Sequence, residues 1–111
     1  MAIQPKQLGQ LRPANTTAAS IYSPTSGITG IISSICIVNT GSSAALARVF
    51  HDNDGTTYDE TTALLWEERI LPGRAFYRDC HWPANNSSGN FAVRTDKAND
   101  LTFTFYGSEK S

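Results

Sequence analysis

Between Ala18 and Tyr106 the sequence divides into short β-type runs, each closed by turn chemistry, and no stretch carries a sustained helical period. That succession limits the chain to folds built from paired strands. The runs are Ala18 to Ser23, Ile28 to Thr40, Ala44 to His51, Thr57 to Ile70, Ala75 to Trp82, Phe91 to Thr95 and Leu101 to Tyr106. Between them stand segments such as Ser23-Pro24-Thr25-Ser26-Gly27, Asp52-Asn53-Asp54-Gly55, Leu71-Pro72-Gly73-Arg74 and Pro83 to Gly89, in which Pro, Gly, Asn and Asp supply the dihedrals that turns require. The last run alternates most cleanly, with Leu101, Phe103 and Phe105 set for one face and Thr102, Thr104 and Tyr106 for the other. Thr57 to Ile70 also admits a helix, since Ala63 to Arg69 contains good helix formers; two turns without a clear N-cap make the strand the favoured reading, with Leu64, Trp66, Glu68 and Ile70 on one face. Seven or eight strands predict an all-β, antiparallel β-sandwich of the jelly-roll or immunoglobulin-like kind, because two packed sheets bury one face of every strand.

With 111 residues the chain holds one such domain and no second. Residues 1–17 contain Pro5, Gly9 and Pro13 without a period, and predict an extended N-terminal arm preceding a β-sandwich domain over residues 18–111. Ile3, Leu8 and Leu11 make that arm apolar, so it gains by docking either on its own body or on a neighbouring subunit. Ile28 to Thr40 is apolar on both faces, through Ile31, Ile32, Ile35, Cys36, Ile37 and Val38. A sandwich strand normally alternates, so the surplus predicts that the arm or another subunit covers the outer face.

Nine basic against ten acidic residues, a net charge of −1, and 17 % charged residues argue against nucleic acid as a partner. No segment approaches the roughly 20 apolar residues of a membrane span, and Met1-Ala2-Ile3-Gln4-Pro5 does not open a secretory signal. Asn15-Thr16-Thr17, Asn85-Asn86-Ser87 and Asn86-Ser87-Ser88 are therefore read as polar loops and not as glycan acceptors. Cys36 and Cys80 read as reduced thiols unless the fold brings them together.

Chemistry-bearing patterns are sparse. Asp52, Asp54 and Gly55 resemble a calcium loop, but placing the two carboxylates at ligand positions 3 and 5 leaves Phe50 at position 1, so the spacing fails; only an irregular site with Asp59 and Glu60 stays open. Cys80 and His81 point to opposite faces of a strand, and no C-x2-C or H-x3-H spacing supports zinc. No nucleophile elbow, facing carboxylate pair or phosphate-cradling loop occurs, so the sequence predicts neither an enzyme nor a cofactor or metal. Trp66, Trp82, Tyr58, Tyr77 and Tyr106 serve either as core and interface residues or as a sugar platform, the former being favoured. Arg69, Arg78 and Arg94 read as partners in cross-strand ion pairs, or as register-setting groups if another subunit covers them.

The whole chain resembles small virion structural proteins of tailed bacteriophages. The resemblance runs through Gln7-Leu8-Gly9-Gln10-Leu11-Arg12-Pro13-Ala14, Ile32-Ser33-Ser34-Ile35-Cys36-Ile37-Val38-Asn39-Thr40-Gly41-Ser42, Ile70-Leu71-Pro72-Gly73 and Thr102-Phe103-Thr104-Phe105-Tyr106-Gly107-Ser108-Glu109. The resemblance implies a capsid cement or decoration protein or a tail-associated one without separating them; taken with the apolar surplus it favours a cement or decoration protein on the outer capsid surface, made in the host cytoplasm, with the major capsid protein or other virion proteins as partners and a homo-oligomer, a trimer foremost, as its state. The expected contact residues are Ile3, Pro5, Leu8, Leu11 and Arg12 from the arm, Ile32, Cys36 and Val38 from the two-faced strand, and Trp82. The alternatives are a tail or neck adaptor, and a fibre-associated carbohydrate-binding module using Trp82 and the Asn85 to Gly89 loop. Asp79-Cys80-His81-Trp82 departs from the group's apolar pattern and marks a particular contact.

Overall fold

The computed structural model describes residues 4–111, which form eight strands and no helix. They are β1 (Gln4–Leu11), β2 (Ala19–Tyr22), β3 (Thr29–Asn39), β4 (Ala45–Asp52), β5 (Ala63–Ile70), β6 (Ala75–Ala84), β7 (Asn90–Thr95) and β8 (Leu101–Lys110). Two four-stranded antiparallel sheets face each other, the first ordered β1-β8-β3-β6 and the second β2-β7-β4-β5. The pairs β1–β8, β2–β7, β3–β6 and β4–β5 nest inside one another like a single long hairpin rolled over itself, and β8–β3 with β7–β4 close the roll. This is the order of a jelly roll; immunoglobulin domains divide their strands differently.

The interior follows from alternation. Ile35, Ile37, Val49, Phe91, Val93, Leu101, Phe103 and Phe105 are fully buried between the sheets, each at an inward position of its strand. In β4 the small Ala45, Ala47 and Val49 face inward beneath the larger phenylalanines of the opposite sheet, so the layers interdigitate.

Residues 4–11 lie on the chain's own body, the first of the two places expected for the arm, and do so as a strand. They form the edge strand β1, paired with β8 from Gln4↔Glu109 to Leu11↔Phe103, and Leu8 and Leu11 pack on the core. The period of two is hidden in the sequence because the register slips between Gln7 and Gly9, inserting Leu8 as an extra residue. Pro5 is tolerated because an edge strand leaves half its backbone donors unpaired. The strand is pinned by Lys6 Nζ, 2.7 Å from Glu109 Oε1, and by Gln10 Nε2, which donates to Thr104 Oγ1 at 3.0 Å. Ile3 lies outside the described residues.

The two-faced character of β3 is partly resolved by a second slip. Register shifts between Ile32 and Ser34 against both β6 and β8, so the strand changes parity at Ser33. Strict alternation would set Ile32 beside Cys36 and Val38; the bulge instead turns Ile32 inward with Ile35 and Ile37, where it is fully buried. Ile32 is therefore a core residue and not a contact residue.

Antiparallel connectivity sorts the loops. Residues 12–18, 40–44, 71–74 and 96–100 gather at one end, joined by Asn99 N–H to Pro13 O at 2.8 Å and Thr40 N–H to Asp100 O at 2.9 Å. Loops 23–28, 53–62 and 85–89 gather at the other, where Asn86 Nδ2 donates to Asn53 O at 2.9 Å. At the first end the buried Asn39 organises the β5–β6 turn. Its side-chain amide donates to Ile70 O at 2.8 Å and Ser43 O at 2.9 Å, and its Oδ1 accepts from Gly41 N–H at 2.8 Å. Its backbone accepts from Gly73 N–H at 2.9 Å and donates to Arg74 O at 3.0 Å. Gly73 takes φ of 76°, a left-handed value that suits a residue without Cβ.

Candidate interaction faces

Among the described residues no deep cavity lies between the sheets, so the candidate sites are the two outward faces and the sandwich ends. On the first sheet the register aligns four cross-strand rows of outward residues. They are Gln7–Tyr106–Ser34–Asp79, Gln10–Thr104–Cys36–Tyr77, Thr102–Val38–Ala75 and Pro5–Ser108–Ile31–Pro83. One formal charge occurs among them, Asp79, and Tyr77 Oη donates to its Oδ1 at 2.9 Å. Lys110 stands beyond, beside Thr29 at the end of β8. Tyr77 is 62 % and Tyr106 43 % exposed, large values for aromatic side chains in mid-strand. The slips in β1 and β3 flank Tyr106, next to Gly107, whose missing Cβ leaves room for the Ile31 carbonyl oxygen, and an open hollow of about 490 Å³ lies there, lined by Pro5, Lys6, Gln7, Ser33 and Tyr106. A charge-poor surface of aliphatic, amide, hydroxyl and tyrosine side chains has the composition of the centre of a protein–protein contact, where charge is depleted and tyrosine enriched.

The second sheet treats its outward positions differently. Phe50 points away from the core yet is fully buried, because Tyr58 from the loop after β4 and Trp66 from β5 close over it edge-on, with ring centroids 6.1 and 6.3 Å away. The Arg48 guanidinium lies 3.8 Å from the centre of the Trp66 ring and grips Glu67 with two hydrogen bonds, Nε to Oε2 at 3.0 Å and Nη2 to Oε1 at 2.7 Å. The guanidinium holds the Glu67 carboxyl below its ordinary range and is itself stabilised in its charged form. Glu67 occupies a left-handed backbone conformation, φ 56°, at a bulge where Trp66 and Glu67 together oppose Arg48. That bulge overturns the expectation that Leu64, Trp66, Glu68 and Ile70 share a face: Leu65 and Ile70 are buried, and Trp66 turns outward. Arg94, opposite Arg48 in register, donates through Nε to Thr16 O at 2.9 Å. This face is tied up by its own chain.

The predicted contact residues therefore scatter. Pro5, Cys36 and Val38 meet on the outer face of the first sheet, whereas Leu8 and Leu11 are spent on the core and Arg12 donates to Asn99 O at the far end, at 2.6 Å. Trp82 does not form a surface platform. It faces inward beside Ile32, its ring parallel to Phe91 with centroids 6.3 Å apart and edge-on to Phe105 at 6.4 Å, so both a contact role and a sugar-stacking role lose their geometry. Cys36 points outward and Cys80 inward, with Cys80 Sγ 3.6 Å from Ile32 O, so the two remain free thiols on opposite faces. Burial pushes the Cys80 thiol up, the reverse of a reactive cysteine. The Asp52 carboxylate, left open for an irregular calcium site, accepts instead from the backbone N–H groups of Asp54, Thr56 and Thr57, which hold its pKa low. Sequence reasoning grouped Tyr77 and Tyr106 with Tyr58, Trp66 and Trp82 but did not single out these two as sharing a face, since their strands are not neighbours in sequence and only the order β8-β3-β6 brings them together.

His51 stacks on Phe91, ring centroids 4.2 Å apart, and its buried Nε2 has no hydrogen-bond partner among the described residues. Burial lowers its pKa, so the ring is neutral at neutral pH.

No family model matches the sequence, and no curated protein matches it. Solved structures do match the fold. The chain superposes on the structure of infectious bursal disease virus, Gx strain, with a TM-score of 0.53 at 9 % identity, over 97 % of its own length and 32 % of that chain. It spans about a third of that neighbour. The coat protein dimer of tobacco streak virus gives a TM-score of 0.53 at 10 % identity, covering 99 % of this chain and 84 % of the coat protein. The T13 viral particle of infectious bursal disease virus gives 0.52 at 10 % identity, over 96 % of this chain and 30 % of that one. At these identities the likeness establishes a fold: this chain is a jelly-roll β-sandwich of the kind seen in viral capsid proteins.

Proposed function

We propose that the chain is a structural protein of a tailed-bacteriophage virion, a cement or decoration protein that docks between capsid subunits and stabilises the assembled shell. The observation that carries this reading is the charge-poor outer face of the first sheet, four rows deep with Asp79 as the one formal charge in the rows, with Tyr77 and Tyr106 exposed and nothing in the described chain laid over them. A lone domain gains nothing from leaving such a face bare; a protein that meets the same partner surface many times over does. The fold shared with viral coat proteins and the sequence resemblance point the same way. The mechanism is mass action: each copy binds only the assembled shell, so occupancy lowers the free energy of the shell relative to its separated parts.

Two experiments test it. Quantitative mass spectrometry of purified particles is expected to give a copy number comparable to that of the major capsid protein. A few copies per particle would favour the tail or neck adaptor, and absence from particles would overturn the proposal. Tyr77→Asp combined with Tyr106→Asp is expected to abolish binding to shells lacking the chain while leaving a folded protein. Deleting residues 2–14 is a poorer test, because it removes β1 and with it the packing of Leu8 and Leu11.

A further inference from the structure

The six arginines divide unevenly. Arg48 is paired with Glu67, Arg12 donates to Asn99 O and Arg94 to Thr16 O. Arg69, Arg74 and Arg78 make no ion pair or side-chain hydrogen bond within the described residues, contrary to the expectation of cross-strand pairs for Arg69 and Arg78. All three lie on β5, β6 or the turn that carries the chain from β5 in the second sheet to β6 in the first. Arg69 and Arg74 flank an open hollow of about 460 Å³ floored by Ile70, Leu71 and Phe76, and Arg78 lies over Phe76 at 5.2 Å; Glu68 is the one carboxylate on its rim. Leu71, on the same turn, is 46 % exposed. The hydrogen bonds of Asn39 fix this corner, so its charges are presented on a rigid frame.

The complementary charge lies on the same chain and out of reach. From Val49 to Glu68 there is no Lys or Arg, while six of the ten carboxylates fall in that stretch. Four of them, Asp52, Asp54, Asp59 and Glu60, sit in or beside the β4–β5 loop. Pairing of Ala45 with Ile70 and of Phe50 with Ala63 puts this loop at the opposite end of the β4–β5 ribbon from the arginine corner. An eight-residue strand, roughly 26 Å, separates them. Asp52 and Asp59 are engaged by backbone and hydroxyl groups of their own loop, which holds the loop in shape; Asp54 and Glu60 are the carboxylates free to meet a cation.

We propose that copies of this chain associate head to tail, the β4–β5 loop of one seating its carboxylates in the arginine-lined β5–β6 corner of the next. The two ends cannot meet within one molecule, whose longest extent is 45 Å, so pairing them with each other takes a second copy. The contact is heterologous: each copy offers a different surface to its two neighbours, and a set of such contacts closes into a ring when the rotation between copies permits. The proposal stands apart from shell docking, because the purified chain alone tests it.

Light scattering across a concentration series is expected to show self-association at low salt that is lost near 1 M, where the screening length falls to about 3 Å. Arg69→Glu with Arg74→Glu, and separately Asp54→Lys with Glu60→Lys, are each expected to be monomeric under the low-salt condition. An equal mixture of the two variants is expected to associate again, since each then supplies the charge the other lacks. A wild-type chain that stays monomeric at low salt, variants that associate as the wild type does, or a mixture that fails to recover would each overturn the proposal. Circular dichroism confirms folding of each variant; if a pair of changes unfolds the chain, Arg74→Glu and Glu60→Lys alone carry the same test at smaller amplitude.

Discussion

The outward positions of the two sheets carry large aromatic side chains in both cases, and their surroundings are opposite. On the second sheet Phe50 is sealed beneath Tyr58 and Trp66, and Trp66 is capped in turn by the Arg48 guanidinium held by Glu67. On the first sheet Tyr77 and Tyr106 stand in open rows with Gln, Ser, Thr, Cys and Asp79. One sandwich thus contains a face finished by its own loop and a face that the described residues leave open. Position in the strand does not decide burial; the length and composition of the adjoining loop does. The ten residues between β4 and β5 are long enough to fold back over Phe50, while the connections flanking the first sheet are spent at its ends.

That contrast predicts a gradient of mutational cost. Phe50→Ala is expected to destabilise by about 3 to 5 kcal/mol in denaturant unfolding, although its side chain points away from the inter-sheet core, because it empties a closed aromatic cluster. Asn39→Ala is expected to cost about 2 to 3 kcal/mol, since it leaves the carbonyls of Ser43 and Ile70 and the Gly41 N–H without their partners. Trp66→Ala is expected to cost roughly 1 to 2 kcal/mol through the lost cover on Phe50 and the lost stack on Arg48. Tyr77→Ser, on the open face, is expected to stay within about 1 kcal/mol. A Tyr77→Ser cost equal to that of Phe50→Ala would erase the distinction between the faces.

The smallest expected effect concerns pH. The pKa of His51 is lowered by burial in the folded chain, so the unfolded chain binds more protons below an ordinary value of about 6.5. Stability is full above that value and falls as the pH drops through the window between the unfolded and the lower folded pKa. Glu109, held low by Lys6 and Tyr22, acts with the same sign further into acid. His51→Phe keeps the stack on Phe91, removes the unpartnered Nε2 and is expected to flatten the slope just below pH 6.5 while leaving the Glu109 portion. Unfolding midpoints measured across pH for both proteins check this.

Local alternation carried much of the fold into the sequence. Leu101, Phe103 and Phe105 are buried as their period of two requires, and Ala45, Ala47 and Val49 separate from Leu46, Arg48 and Phe50 as their spacing requires. The misreadings share one cause. Bulges at Leu8, Ser33 and Glu67 each insert a residue and flip the parity of the rest of the strand, which hid β1, sent Ile32 to the wrong face and regrouped Trp66. Glu67 shows why such positions escape a sequence reading: a left-handed conformation at a non-glycine residue is held by a tertiary ion pair with Arg48, 19 residues away, and has no local signature. The contact face was half legible for a related reason, since Cys36 and Val38 follow from their own strand whereas Tyr77 and Tyr106 become neighbours only through strand order.

The nesting of β4–β5 within β3–β6, β2–β7 and β1–β8 also sets the sequence of events during synthesis. The innermost ribbon closes a short loop and is available early, while the outermost must bring together segments about a hundred residues apart, the costliest closure in entropy. Because β8 is a central strand of the first sheet and carries Tyr106, the open face does not exist on the ribosome until β8 has emerged and zipped between β1 and β3. Among the described strands, that face is thereby the last surface to be assembled.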